Sequence, residues 1–272
     1  VKIPVFGIPV LNREDLLLCC LESIDYPVGI LHIINNGDDP GVARALAWIR
    51  SGQFRTSRWI DRIVIEEFNN LGCSRSWNRI IRNNPGPWLL CNNDVRIGSG
   101  ALGEMISHLD SYPDIIYGFE ARLGYCFFLM TPRGATKIGL FDENIWPAYY
   151  EDVDHGHRVR MTGAKHVEIR TRSLHGDEDG PSCTIRKDAR LAQIVDTAIK
   201  ANKQYVLKKW GAIPPDKACW RIPFNGKNPK LLSTANTDYR GSSHAPDRPG
   251  IPRAEPSRDR DYREERSGSR VV

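Results

Sequence analysis

Three short stretches concentrate side chains that could do chemistry. In "WLLCNND" an apolar run stops at Asn92, Asn93 and Asp94. A buried strand that ends in two amides and a carboxylate is either turning a corner, as an Asx-turn does, or holding a ligand. In "YYEDVDHGHRVRMTG" Glu151 and Asp152 open a helical pattern. Acids at a helix start are favoured by the helix dipole alone, and they are also groups that can take a proton from a hydroxyl. In "RSLHG", His175 is either a plain loop residue or an imidazole of the kind that ligates Mn²⁺ as well as Zn²⁺. The remaining histidines carry no motif. His155 and His157 lie two apart, cannot share a helix face, and read as surface or supporting groups. Asp154 and Arg158, at i and i+4, read as a structural ion pair. No Cys/His cluster of zinc-site spacing is visible.

The elements that must position these groups follow from patterning. Val1 to Val10 is β-rich, and Asn12 then looks like an N-cap with Asp15 at N3 for the helix "REDLLLCCLESI". "GILHIINNGDD" is a strand, "GVARALAWIRSG" a helix stopped by Gly52, and "DRIVIEEF" a strand. "NNLGCSRSWNRIIRN" is a glycine turn and a helix, and "WLLCNND" the fourth strand. A helix capped by Ser99 follows, then the strands "DIIYGFE" and "GYCFFLMT". "PRGATKIG" is a short helix with Pro132 at its first position and Gly139 as its stop. After the "EDVDHGHRVRMTG" helix, "AKHVEIR" alternates like a strand, and a long amphipathic helix runs from Arg186 to a stop at Gly211. Strands alternating with helices predict a mainly parallel α/β sheet with helices on both faces. Ligands of such sheets sit beyond the carboxyl ends of the strands. Polar clusters fall at three of those ends: "PVLNR", "NNGDD" and "NND".

The ordered series "PVLNRED", "INNGDD", "NNLGCSRSWN", "LLCNNDV", "GLFDE", "YYEDVDHGHRVRMTG", "LHG" resembles the GT-A glycosyltransferases of the inverting family 2 type, over about Lys2 to Gly211. The closing "KQYVLKKWG" resembles the end of many of them. The resemblance implies a GT-A, Rossmann-like domain and transfer of a sugar from a nucleotide-sugar donor to an acceptor hydroxyl. It implies a divalent cation, Mn²⁺ or Mg²⁺, at Asp94, with His175 completing the site or touching the diphosphate. A hard cation there offsets the charge that grows on the departing diphosphate. Asn92 stands where the family has the first acid of D-x-D, and Asn93 is the spacer. The family's base is the acid of its E-D pair, here Asp152. Nucleotide contacts are implied for Pro9, Asn12 and Arg13, then Asn36, Gly37 and Asp39, and then Asn70, Arg75 and Asn78. Gly37 serves a close backbone approach or a positive φ, as a plain turn also would. Arg75 either meets the diphosphate or is merely solvated. Trp146, Tyr150 (of the Tyr149–Tyr150 pair) and Glu151 fall where the family builds its acceptor wall; ordinary packing is the alternative.

The chain has 272 residues, 40% of them hydrophobic, and a formal charge of +5, which argues only weakly for a nucleic-acid partner. We expect the domain to occupy residues 1–225. Residues 226–272, rich in Pro, Ser, Arg and Asp and most plainly so from Ser233, are expected to be a disordered tail. No apolar run is long enough to span a membrane, and the opening residues read as a strand rather than a secretory leader. Seven cysteines without a C-x-x-C pair read as buried reduced thiols and predict a cytoplasmic protein. Three rivals stand beside the transferase. One is a non-catalytic nucleotide-sugar or glycan-binding protein that keeps the fold. A nucleotidyltransferase would need a Gly-rich basic loop that "GIPVLNRED" lacks. Nucleic-acid binding through the tail is weakened by its interspersed acids. The acceptor (a glycan, a protein or a modified base) and the oligomeric state are left open by the sequence.

Overall fold

A computed structural model describes residues 1–118, 124–176 and 183–226 of the chain. The expected tail from 226 onward therefore lies, but for Gly226, outside the described residues. Three parallel strands, β1 (Ile3–Val10), β2 (Val28–Asn35) and β3 (Ile60–Glu67), are linked by α1 (Glu14–Glu22) and α2 (Pro40–Arg50). Helix α3 (Gly72–Asn83) then leads to β4 (Trp88–Cys91), which pairs parallel with β1 on its other side. A two-residue strand β5 (Val95–Arg96), α4 (Ala101–Ser107), β6 (Ile115–Gly118), β7 (Phe127–Met130) and α5 (Pro132–Ile138) follow. The chain continues through α6 (Glu151–Met161), β8 (His166–Ile169), β9 (Leu174–His175), α7 (Cys183–Arg186) and α8 (Ala189–Trp210). The seven-stranded sheet has the order β3-β2-β1-β4-β7-β6-β8, and only β7 runs against its neighbours. The expected mainly parallel α/β sheet is what forms.

The middle strands are buried on both faces, so alternation of side chains feeds two cores. Leu89 and Cys91 join Phe6, Ile8 and the α1 residues Leu17 and Leu21 on one side. Trp88 and Leu90 join Val5, the α3 residues Trp77 and Ile80, and Phe141 on the other. A third, smaller cluster of Ile145, Val206 and Trp210 attaches the end of α8.

That attachment is also electrostatic. Lys209, fully buried, places its Nζ 2.8 Å from Asp142 Oδ2 and 2.6 Å from Asp154 Oδ1. Arg158 reaches Asp154 at 3.0 Å, and Trp210 donates its indole N–H to the same carboxylate at 2.8 Å. Burial alone would raise the Asp154 pKa; the adjacent Lys209 and Arg158 charges instead hold it well below the usual carboxylate range. The i,i+4 pair expected from sequence is present, as one arm of a larger network.

Several local expectations are corrected. Asn12 is not the cap of α1: the helix starts after Arg13, whose φ is 64°, without a side-chain cap bond. The Asn12 amide instead donates to Thr184 O at 2.7 Å, a tertiary partner that local pattern cannot reveal. Ser99 does not cap α4; Gly100, at φ 79°, precedes the helix, and its N–H bonds Asp25 at 2.8 Å. The long helix starts at Ala189 rather than Arg186, because Asp188 accepts from the Leu191 N–H at 3.0 Å and restarts the chain there. His155 and His157 are buried, not at the surface. Cys19 is exposed, whereas Cys20 and Cys91 are buried free thiols as expected. The last residues of "DIIYGFE" lie outside the described residues.

Removing one member of the Lys209 network strands a buried charge. Lys209→Met is expected to lower the unfolding free energy by roughly 3–5 kcal/mol in denaturant titration. A loss under about 1 kcal/mol would show that the network is not what holds α8.

Candidate active site

The carboxyl ends of β1, β2 and β4 open into a cavity of about 310 Å³, the size of a small-ligand site. Of the residues singled out in sequence, Pro9, Asn36, Asn70, Asn92, Asn93, Asp94, Glu151, Asp152 and His175 line it.

The Asn92–Asp94 triplet turns a corner and faces the cavity at once. Val95 N–H donates to Asn92 O at 3.3 Å, which closes the turn, and the Asn92 N–H bonds Cys126 O. Asn93 is spent on structure, donating to Asn12 O at 3.1 Å. Asp94 is buried, and His175 Nε2 lies 3.3 Å from its Oδ1. The cause is the two-stranded β5–β9 ladder, in which Val95 pairs antiparallel with His175 and Gly176 N–H donates to Asp94 O.

One carboxylate and one imidazole are a donor set that suits Mn²⁺ or Mg²⁺ held jointly with phosphate oxygens. Among the described residues no group of three or more His, Cys, Asp or Glu could hold a metal. The site fits an ion shared with a bound diphosphate and does not fit a closed structural centre.

Glu151 and Asp152 are delivered by backbone strain. Tyr149 and Tyr150 both hold positive φ, 70° and 79°, immediately before α6. The loop bearing them is tied from α8: Asn202, buried, donates to Ala148 O at 3.0 Å and Tyr149 O at 3.1 Å. From the other side Cys73 N–H donates to Pro147 O at 2.8 Å. This approach needs Gly72, whose φ is 76° and where a Cβ would sit 2.6 Å from Pro147 O. Glu151 is 7% exposed, and its Oε2 has no hydrogen-bond partner. Burial, with the Asp152 charge next to it, pushes its carboxyl up to about 8. Asp152 is open to water on one side, its Oδ1 accepts the Val153 N–H at 2.8 Å, and the surrounding protein raises its pKa above the ordinary value. Two neighbouring acids thus differ: Glu151 is protonated at neutral pH and can donate a hydrogen bond, while Asp152 carries the exposed carboxylate.

Asn36 and Asn70 line the cavity with their amides engaged by the fold, and the remaining predicted residues are not among its lining. Asn36 donates to Ser76 Oγ and accepts from Leu71 N–H; Asn70 accepts from Gly72 N–H. Asp39 caps α2 through Val42 N–H. Gly37 serves a close approach, since a Cβ there would lie 2.4 Å from Leu11 O. Arg13 bonds Asp15, and Arg75 faces Glu143 at 4.0 Å. Asn78 is fully buried and clamps residue 141 through both its N–H and its carbonyl. Trp146 donates to Asn70 O, and Tyr150 packs on the small cluster at α8.

Sequence reading missed Tyr125, which lines the cavity and whose hydroxyl bonds His155 and Tyr117. His155 Nε2 bonds a carbonyl, Gly139 O, and so carries the proton; Nδ1 therefore accepts from Tyr125 OH, which accepts from Tyr117 OH at 2.7 Å. It also missed Leu191, Ile194 and Val195 of α8, which line the cavity. Nothing in their type distinguishes a cavity wall from a core stripe.

No protein-family model matches the chain, and no curated protein matches it in sequence. Solved structures do. It is similar to glucosyl-3-phosphoglycerate synthase from Mycobacterium tuberculosis, in complex with Mn²⁺, UDP and glucosyl-3-phosphoglycerate: 12% identity, TM-score 0.52, covering 79% of this chain and 82% of that one. It is also similar to GalNAc-T7 with UDP, GalNAc and Mn²⁺: 8% identity, TM-score 0.54, covering 87% of this chain and 55% of that one. A match to S. aureus TarS has 14% identity and a TM-score of 0.47, and takes in 62% of this chain and 35% of TarS. The fold is that of the GT-A glycosyltransferases. Among the described residues no helix is long and apolar enough to cross a membrane.

A raised carboxyl pKa is a stability statement with a definite sign. Folding favours the protonated Glu151, so its contribution falls as pH rises from the ordinary 4.5 towards about 8. Glu151→Gln, which copies the neutral acid, is expected to raise the melting temperature at pH 9. The accompanying gain in stability, up to about 5 kcal/mol, should fade as pH falls towards 5. A pH-independent difference would show that Glu151 does not titrate in this window.

Proposed function

We propose that the protein is an inverting, metal-assisted glycosyltransferase of the family 2 type, moving a sugar from a nucleotide-sugar donor to an acceptor hydroxyl. The observation that carries the reading is the convergence, in one cavity at the strand ends, of the Asp94–His175 pair with the exposed carboxylate of Asp152. The presence of UDP and Mn²⁺ in the two structurally similar proteins supports it.

Asp94 and His175 would hold the divalent cation, Mn²⁺ or Mg²⁺, which neutralises charge on the departing diphosphate. Pro9, Asn36 and Asn70 border the space for the nucleotide at the ends of β1 and β2. Asp152 takes the proton of the acceptor hydroxyl as its oxygen attacks the anomeric carbon. The bond to the nucleoside diphosphate breaks on the opposite face, so configuration inverts. The raised pKa of Asp152 makes it a stronger base than an ordinary carboxylate. Glu151, neutral and with its Oε2 unpartnered, donates a hydrogen bond to a sugar hydroxyl in the cavity. A reducing compartment such as the cytoplasm would suit the buried thiols Cys20 and Cys91, whose sulfurs share a weak hydrogen bond at 4.0 Å. Residues 1–225 form the catalytic domain on this reading.

A second reading is favoured by one residue: Asn92, in place of an acid, removes a charge from the metal site. A non-catalytic protein that binds nucleotide-sugars would share every other feature. A hydrolysis and transfer screen with UDP-, GDP- and dTDP-sugars and Mn²⁺ separates the two, because only the enzyme turns donor over.

Two variants sharpen the assignment. Asp152→Asn is expected to lower transfer by at least about 10²-fold while leaving UDP affinity within twofold; normal turnover would remove Asp152 as base. Asp94→Ala is expected to abolish the increase in UDP affinity that Mn²⁺ produces in calorimetry. Metal-linked affinity that survives in Asp94→Ala would place the ion elsewhere.

A further inference from the structure

The first turns of α8 carry an apolar stripe that no core consumes. Leu191, Ile194 and Val195 recur at i, i+3 and i+4, the spacing of one helix face. None belongs to the hydrophobic clusters on either side of the sheet or to the small cluster at the other end of α8. All three line the cavity instead. The same helix is fixed by Asn202 to the carbonyls of Ala148 and Tyr149, about two turns or roughly 10 Å along its axis from Val195. Pro147, Ala148 and Tyr149 also line the cavity, and they lead directly to Asp152. The helix stripe and the loop therefore form one apolar wall attached to the residue assigned as base.

An apolar wall has little to offer a diphosphate or the hydroxyls of a transferred sugar, which lose hydration without gaining partners there. An occupant that leaves a hydroxyl at Asp152 and buries carbon against this wall gains on both counts. We infer that the acceptor is an amphiphile: a hydroxyl compound with an aliphatic or aromatic portion that seats against Leu191, Ile194 and Val195. The inference rests on the transferase reading for the word acceptor, but the apolar subsite can be tested without turnover.

The test uses the full chain with UDP and Mn²⁺, probed with octyl β-D-glucopyranoside below its micelle concentration and with methyl β-D-glucopyranoside. Burying two or more methylenes corresponds to at least about tenfold in affinity. The octyl compound is expected to bind at least tenfold tighter than the methyl compound, with saturation-transfer NMR strongest on its alkyl protons. Ile194→Gln is expected to remove that preference and to leave UDP affinity within twofold; Leu191→Gln serves if the first variant does not fold. Equal binding of the two probes, or a preference that survives both substitutions, would overturn the inference. So would a tenfold loss of UDP affinity in a folded Ile194→Gln variant, because the wall would then belong to the nucleotide. A chain that shows the octyl preference yet turns over no nucleotide-sugar would retain the apolar subsite and discard the transferase reading.

Discussion

The structure depends on a charge pair of pairs sealed away from water. Asp142 and Asp154 face Lys209 and Arg158 with almost no solvent contact. Such groups are costly to bury and contribute little net stability compared with well-packed carbon. What the network supplies is position. Asp142 belongs to the loop that leads towards Tyr149 and Tyr150, Asp154 and Arg158 to the helix that begins with Glu151 and Asp152, and Lys209 to α8. One ammonium group therefore ties together three segments that border the cavity. Asn202, two turns earlier on α8, continues the same function with backbone carbonyls of the loop.

This anchoring explains how two consecutive non-glycine residues can sit at positive φ ahead of α6. Each such residue costs on the order of 1–3 kcal/mol and persists only where its surroundings fix it. Here the fixing groups are visible: Asn202 on one side, and the Gly72–Pro147 contact on the other. The strain turns the first two acids of α6 towards the cavity, which a regular helix entry at this loop has no reason to do. Structure spent remotely thereby aims these two acids into the cavity.

Much of this was legible in the sequence, and the boundary has a physical cause. Strand and helix order, and the candidacy of Asp94 and of Glu151–Asp152, which the fold places at the cavity, are local: an apolar run that stops at polar residues, or acids that open a helix, stay visible in a short window. His175 was singled out, but its nearness to Asp94 depends on the β5–β9 ladder, which joins segments distant in the chain. Asn12, Asn36 and Asn78 show the opposite limit. An amide has donors and acceptors for a ligand and for a backbone alike, and in Asn36 and Asn78 the backbone and Ser76 take them. Trp146 and Tyr150 were expected at an acceptor wall, but they are not among the residues that line the cavity. Tyr149 and aliphatic residues of α8 line it, and the spacing of the latter is the same whether a helix faces a core or a cavity.

Asn92 gains meaning from the charges around it. With an amide there and a protonated Glu151, the cavity presents fewer negative groups than its carboxyl count suggests. For the proposed reaction this cuts two ways. A doubly charged cation is attracted less to the protein alone, and a diphosphate is repelled less by it. On the proposed reading each partner would bring the charge that the other needs, so ion and donor would bind best as a pair. Linkage requires the coupling to be reciprocal: the ion strengthens donor binding by the factor by which the donor strengthens ion binding. If Asp94 and His175 hold the ion, one carboxylate and one imidazole would leave it short of partners, and the coupling to a diphosphate would be large.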